Sequence, residues 1–362
     1  MGNVAISQSG GERGGRASSQ SNNAGDKAGA ETWPPPPHAV PRTRAELIAA
    51  HGIGAERTWT RVRRGLYLPP GTDVTPQVRA LAEVRARPAA VLSGAAAARA
   101  WGHPWVANGV PEMVLLGGAE GGNGVQQVEA DVTILRRKPA RKLRRCALSI
   151  RDPCSAIGAA GPGEVTITIA EPLDVTIDCV AALPDDEAIA FIDGAIRAWG
   201  IDRQLREWAN RSGRTGAKRM RELLDWTDWR AESRPESLLR TKLRRAGQSQ
   251  WVPQYMVLVA SGKRWVDLGD HDYRISIEFL GQGHWQDAES RRADAQRVNE
   301  LRETGWTVIE VTILDVFRDF DALLRRIDEH RRRIDAERAQ DIAWRRSKTV
   351  EAMRGRVNRW IK

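Results

Sequence analysis

Apolar and polar side chains alternate from Tyr273 to Phe279, setting Ile275, Ile277 and Phe279 on one face and Arg274, Ser276 and Glu278 on the other. That period predicts a half-buried strand ending in an acid. Short apolar runs predict further strands over Gln254–Val259, Trp265–Leu268 and Trp306–Thr312. Around them the spacing changes to three and four. Ser233-Arg234-Pro235-Glu236 opens a helix that carries Leu238, Leu239 and Leu243 and ends at Gly247. A second follows His284, with Val298 and Leu301 before Gly305, and a third carries Phe317, Phe320, Leu323, Leu324 and Ile327. The order αβββαβα over residues 231–330 predicts a compact α/β domain with a mixed sheet.

Nearer the start the pattern is more fragmented. Residues 1–40 are mostly Gly, Ser, Asn and Pro, too poor in apolar groups to offset the entropy of ordering, and predict a disordered tail. Thr43-Arg44-Ala45-Glu46 has the form of a capping box and starts a short helix ended by Gly52. Ala55–Arg64 predicts a second helix, basic through Arg57, Arg61, Arg63 and Arg64, before an extended Gly65–Leu68. Helix, turn, basic helix and strand are the order of a winged helix-turn-helix over 41–72, with the basic helix in the major groove. An arginine-decorated surface helix has the same spacing. An Ala-rich helical stretch over about 75–101, a strand near Glu112–Leu116 and a helix opened by Pro184-Asp185-Asp186-Glu187 predict a mixed α/β middle region over 73–230. A charged helix over 331–362 follows the last domain.

Composition adds a partner class. With 362 residues the chain can bury more than one core. Its net charge of +10 and pI near 10.0 favour a polyanion. Three cysteines with no CxxC pair argue against a structural zinc or a disulfide framework. The longest apolar stretch, about Pro88–Trp101, is interrupted by Ser93, Gly94 and Arg99, so no membrane span is expected. The first residues lack the basic and apolar regions of a signal peptide, and Ile6 stands where a myristoylation signal has Ser or Thr; a cytoplasmic protein is expected.

The candidate chemistry lies in the last domain. Asp267 and Glu278 fall on adjacent predicted strands, and a carboxylate inside a sheet needs a cation or a set of donors to offset its desolvation. Mg²⁺ or Mn²⁺ fits two such oxygens. Each residue also has a structural role open to it: Glu236 as the second half of a cap, Asp267 as a turn acid, Glu278 as an arginine's partner, His284 as a loop histidine, and Asp294 with Arg297 as an i,i+3 pair.

The run from Pro235-Glu236-Ser237 through Val266-Asp267, Ile277-Glu278, Gly281, His284, Asp294, Arg297, Gly305-Trp306 and Val311-Thr312 resembles a small bacterial domain related to the very-short-patch-repair endonuclease, within the PD-(D/E)XK superfamily. Thr43–Gly71, Leu92-Ser93 to Trp101-Gly102 and the region to about 230 more loosely resemble AbiEi-type antitoxin winged-helix proteins. The first resemblance implies a restriction-endonuclease-like fold, metal-binding positions at Asp267 and Glu278 completed by Glu236, and a catalytic histidine at His284. Leu280 departs from it, standing where the family usually has a second acid and the superfamily a lysine.

Together these readings lead us to expect a Mg²⁺-dependent DNA endonuclease. His284 would accept the water's proton or bond the phosphate, and Arg291, Arg292 and Arg297 would hold backbone phosphates. The alternative is a catalytically inactive DNA-binding transcriptional regulator or antitoxin. A phage-defence or toxin-antitoxin setting, with a cognate toxin or self-association, is implied by the resemblance alone.

Overall fold

The computed structural model describes Pro35 and residues 39–360, apart from 88, 107–109, 117–123, 130, 131, 137–143, 151–162, 212, 214 and 281–287. The predicted tail over 1–40 lies almost wholly outside these. At the N-terminal end, β1 (Arg42–Thr43) leads into α1 (Arg44–His51) through the expected cap: Glu46 N–H donates to Thr43 Oγ1 at 3.2 Å, and Thr43 N–H donates to Glu46 Oε2 at 2.8 Å. The second helix is not there. Ala55–Arg57 forms one 3-10 turn, and β2 (Thr60–Arg63) then pairs antiparallel with β3 (Leu66–Leu68), which β1 joins on its other side. Thr58, Thr60 and Val62 are β-branched and Gly65 takes φ 79°, so the segment turns back as a hairpin and buries Leu66 and Leu68. The helix-turn-helix reading of 41–72 is corrected to one helix against a three-stranded sheet.

The Ala-rich stretch is also not one helix. A strand, β4 (Ala90–Ser93), separates α2 (Pro76–Ala86) from α3 (Gly94–Ala100). Ala90–Ser93 is buried throughout, pairing with β5 (Glu112–Leu116) on one side and β9 (Gly163–Ile169) on the other. With β6 (Gly124–Glu129), β7 (Val132–Arg136) and β8 (Arg144–Ile150) these form a six-stranded mixed sheet in the order β6-β7-β5-β4-β9-β8. α4 (Pro172–Ala182), α5 (Asp185–Trp199), α6 (Asp202–Ala209) and α7 (Ala217–Leu224) follow. Ala188, Phe191, Ile192, Ala195 and Ile196 of α5 are core, as their spacing requires.

The C-terminal unit runs α8 (Arg234–Arg245), β10 (Val252–Val259), β11 (Gly262–Asp270), β12 (Ile275–Phe279), α9 (Ala288–Glu303), β13 (Thr307–Val311), α10 (Ile313–Phe317) and α11 (Phe320–Trp360). This is the predicted order with one short helix added. β10, β11 and β12 are antiparallel neighbours, and β13 lies parallel to β12 after the crossover through α9. One core joins Leu239 and Leu243 of α8 and Leu323 and Ile327 of α11 to Leu268, Ile275, Ile277, Ile309 and Val311. A smaller one joins Leu301 of α9 to Val257, Val259, Val266 and Trp306. Ile275–Glu278 is therefore buried on both faces, not half-buried as the alternation suggested. α11 continues without a break past residue 330, where the sequence suggested a boundary. Among the described residues no helix is long and apolar enough to cross a membrane.

Candidate active site

Three acids on the first turn of α8, on β11 and on β12 lie within reach of one another's charge. Ser233 caps α8, with Glu236 N–H donating to its Oγ at 3.3 Å, and Pro235 suits the first turn because it has no N–H to leave unpaired. Glu236, only 5% exposed, accepts from Ser233 Oγ at 2.7 Å, Glu232 N–H at 2.9 Å and Gln254 Nε2 at 3.1 Å. Burial, and after it the negative charge of Asp267, pushes its pKa up to about 8 despite these donors. The Glu236 carboxylate thus bonds the N–H of Glu232 and the hydroxyl of Ser233, not the Ser233 backbone N–H that a capping box would use.

Asp267, half-buried on β11, accepts from Phe279 N–H through Oδ2 at 2.8 Å, tying it to the end of β12. The turn role falls instead on Asp270, whose Oδ1 accepts from Asp272 N–H at 3.1 Å and Tyr273 N–H at 3.3 Å. Glu278 is buried on β12, where its Oε2 lies 2.9 Å from Arg297 Nη2. Its Oε1 is buried and meets no donor among the described residues. Burial chiefly, then the charge of Asp267 and last that of Glu236, raise the Glu278 carboxyl well above the ordinary range, while the charge of Arg297 and a backbone hydrogen bond from Asp267 offset part of this.

The remaining predicted residues are placed unevenly. His284 and Gly281 lie outside the described residues, as does the side chain of Arg291. Arg292 is exposed on α9. Arg297 is paired with Glu278 and, at 2.5 Å, donates to Trp265 O, so in this arrangement it holds a carboxylate where a phosphate was expected; the side chain of Asp294, its predicted i,i+3 partner, lies outside the described residues. Leu280 is 44% exposed at the end of β12, with its N–H donating to Val311 O at 2.8 Å. At the other end of the chain Arg57, Arg61 and Arg64 are exposed, and Arg63 Nη1 stands 3.0 Å from Glu83 Oε2. Gln254 and Ser233 join the site without having been expected there. Gln254 reaches Glu236 from a backbone with φ 50°, which no local sequence pattern announces.

The atoms these three acids could offer an ion are all oxygen, the donor type that Mg²⁺ and Mn²⁺ prefer. The side chains are not closed into a metal site: among the described residues no three of His, Cys, Asp and Glu are grouped tightly enough to hold an ion.

No family model matches the chain, and no solved structure matches it. It is similar to two proteins of Mycobacterium tuberculosis, Uncharacterized protein MT2308 of strain CDC 1551 / Oshkosh and Uncharacterized protein Rv2248 of strain ATCC 25618 / H37Rv. Each is 32% identical over 163 residues, which is 44% of this chain and 60% of the relative. The chain thus spans less than two thirds of the relatives it matches, and neither relative carries a described activity.

Proposed function

We propose that the protein is a divalent-metal-dependent DNA endonuclease whose acid site is Glu236, Asp267 and Glu278. The observation that carries this reading is the mutual repulsion of these acids from α8, β11 and β12, with Glu278 Oε1 buried and without a hydrogen-bond partner among the described residues. The resemblance to the PD-(D/E)XK very-short-patch-repair domain supports it, as does the αβββαβ order of the unit. In hydrolysis a water oxygen bonds to phosphorus while the bond to the leaving sugar oxygen breaks, and that oxygen takes up a proton. A bound Mg²⁺ or Mn²⁺ would acidify the water and balance the charge growing on the phosphate. Asp267 and Glu278 would hold it, the Phe279 N–H fixes Asp267, and Ser233 and Gln254 orient Glu236. Delivery to DNA falls to the N-terminal unit, where the β2–β3 hairpin presents Arg61 and Arg64 as a wing.

A catalytically inactive DNA-binding regulator is the second reading. Leu280 favours it, and so does the occupation of Glu278 by Arg297. Supercoiled plasmid with Mg²⁺, Mn²⁺ or EDTA separates the two. The nuclease reading expects metal-dependent nicking that Glu278→Ala abolishes. DNA binding without nicking in any metal, over plasmids of varied sequence, would favour the regulator.

A further inference from the structure

We propose that Arg297 is a resident counter-cation of the acid site, which leaves Glu278 when a divalent ion enters. This rests on the metal-site reading above and names what controls that site. Arg297 reaches the acids from α9, a different element from the three that carry them. Neighbouring arginines are committed elsewhere: Arg264 lies 2.8 Å from Glu300, and Arg331 lies 2.8 Å from Asp270.

The grip on Glu278 is partial. Arg297 Nη2 approaches Oε2 at 2.9 Å, while Oε1 has no hydrogen-bond partner among the described residues. A paired fork of two parallel bonds would be the stronger arrangement. The exposures point the same way: the Arg297 side chain is 38% exposed and that of Glu278 11%. The guanidinium therefore has solvent to move into, whereas the carboxylate does not. Trp265 O, 2.5 Å from the same Nη2, offers a second anchor that keeps the group beside the site after it releases Glu278. A guanidinium and a divalent cation on one buried carboxylate repel each other, so occupancy by one disfavours the other. The displaced group would then face outward, where a phosphate oxygen of the substrate could take it.

The test is calorimetric titration of Mn²⁺ into the metal-free full-length protein, its Arg297→Gln variant and, as a charge control on the same helix, Arg292→Gln. Arg297→Gln is expected to bind Mn²⁺ tighter by about tenfold or more, and Arg292→Gln by less than about twofold. Should Arg297→Gln fail to fold by circular dichroism, Arg297→Lys, too short to span Glu278 and Trp265 O together, is expected to tighten binding by about threefold. Equal or weaker binding in the folded Arg297 variant would overturn the counter-cation role while leaving the metal site standing. If no protein of the series binds Mn²⁺, the metal-site reading falls and the counter-cation role with it.

Discussion

Arg240 Nη2 stands 2.8 Å from Asp193 Oδ2, in an ion pair almost wholly removed from solvent that joins α8 to α5. Asp228 N–H donates to Asp193 Oδ1 at 2.6 Å, and Arg240 Nη1 donates to Trp226 O at 2.6 Å. The pair thus fixes the helix carrying Glu236 against the middle unit. Removing one partner leaves a buried charge alone, so Arg240→Met is expected to destabilise the fold by about 3–5 kcal/mol. Combining it with Asp193→Leu should recover much of that loss, because the uncompensated charge is gone. Urea unfolding of the single and double variants measures both effects. A single variant as stable as the natural protein would contradict the role given to the pair.

Gly194 follows Asp193 in α5 and lies under two rings. A Cβ there would stand 2.7 Å from His103 Cε1 and 2.9 Å from Trp105 Cε2. Gly to Ala inside a helix ordinarily gains about 1 kcal/mol. Overpacking costs about 1–3 kcal/mol. The rings have little freedom to retreat, since His103 Nε2 lies 3.0 Å from Phe191 O and Trp105 Nε1 donates to Ala190 O at 3.0 Å. Gly194→Ala is therefore expected to lower the melting temperature. An unchanged or raised melting temperature would mean that the rings yield.

Two buried groups pull stability in opposite directions with pH. Burial holds the His103 pKa down at about 4, so its contribution is complete above the ordinary value of 6.5 and is lost as pH falls toward 4. Glu236, raised to about 8, contributes fully below its ordinary 4.5 and loses that contribution as pH rises toward 8. From pH 6.5 to 8 the Glu236 effect is free of His103. Stability should fall across that window by at most about 1.4 kcal/mol per pH unit from this group. Denaturation curves for the natural protein and Glu236→Gln should diverge in slope, the variant being flatter. Parallel slopes would place Glu236 in water.

DNA affinity should fall with salt as phosphate contacts release counterions. If Arg61 and Arg64 each cover one phosphate, replacing both by Ala lowers the log–log salt slope by about 2. Fluorescence anisotropy over a salt series reads this directly, and an unchanged slope would remove the hairpin from the DNA interface.

Signals local to a helix turn or a strand were legible in the sequence: the Thr43 cap, the Ser233 cap, the α5 stripe and the strands carrying Asp267 and Glu278. The errors arose where composition outweighed pairing. Alanine content hid Ala90–Ser93, whose strand character depends on β5 and β9, distant in the chain. Arginine content made Ala55–Arg64 look helical, although its β-branched residues and Gly65 suited a hairpin. Partners separated by many residues, such as Arg240 with Asp193 or Arg297 with Trp265 O, leave no trace in local spacing. The acids and Arg297 could be named in advance, and an arginine partner for Glu278 was open, but local spacing did not join the two.

The anomalous difference map of crystals soaked in Mn²⁺ examines the metal assignment without relying on turnover. The expected result is a peak about 2.0–2.3 Å from oxygens of Asp267 and Glu278, with Arg297 turned away from Glu278. Manganese bound elsewhere, or a map with no peak between these carboxylates while Arg297 stays on Glu278, would contradict it.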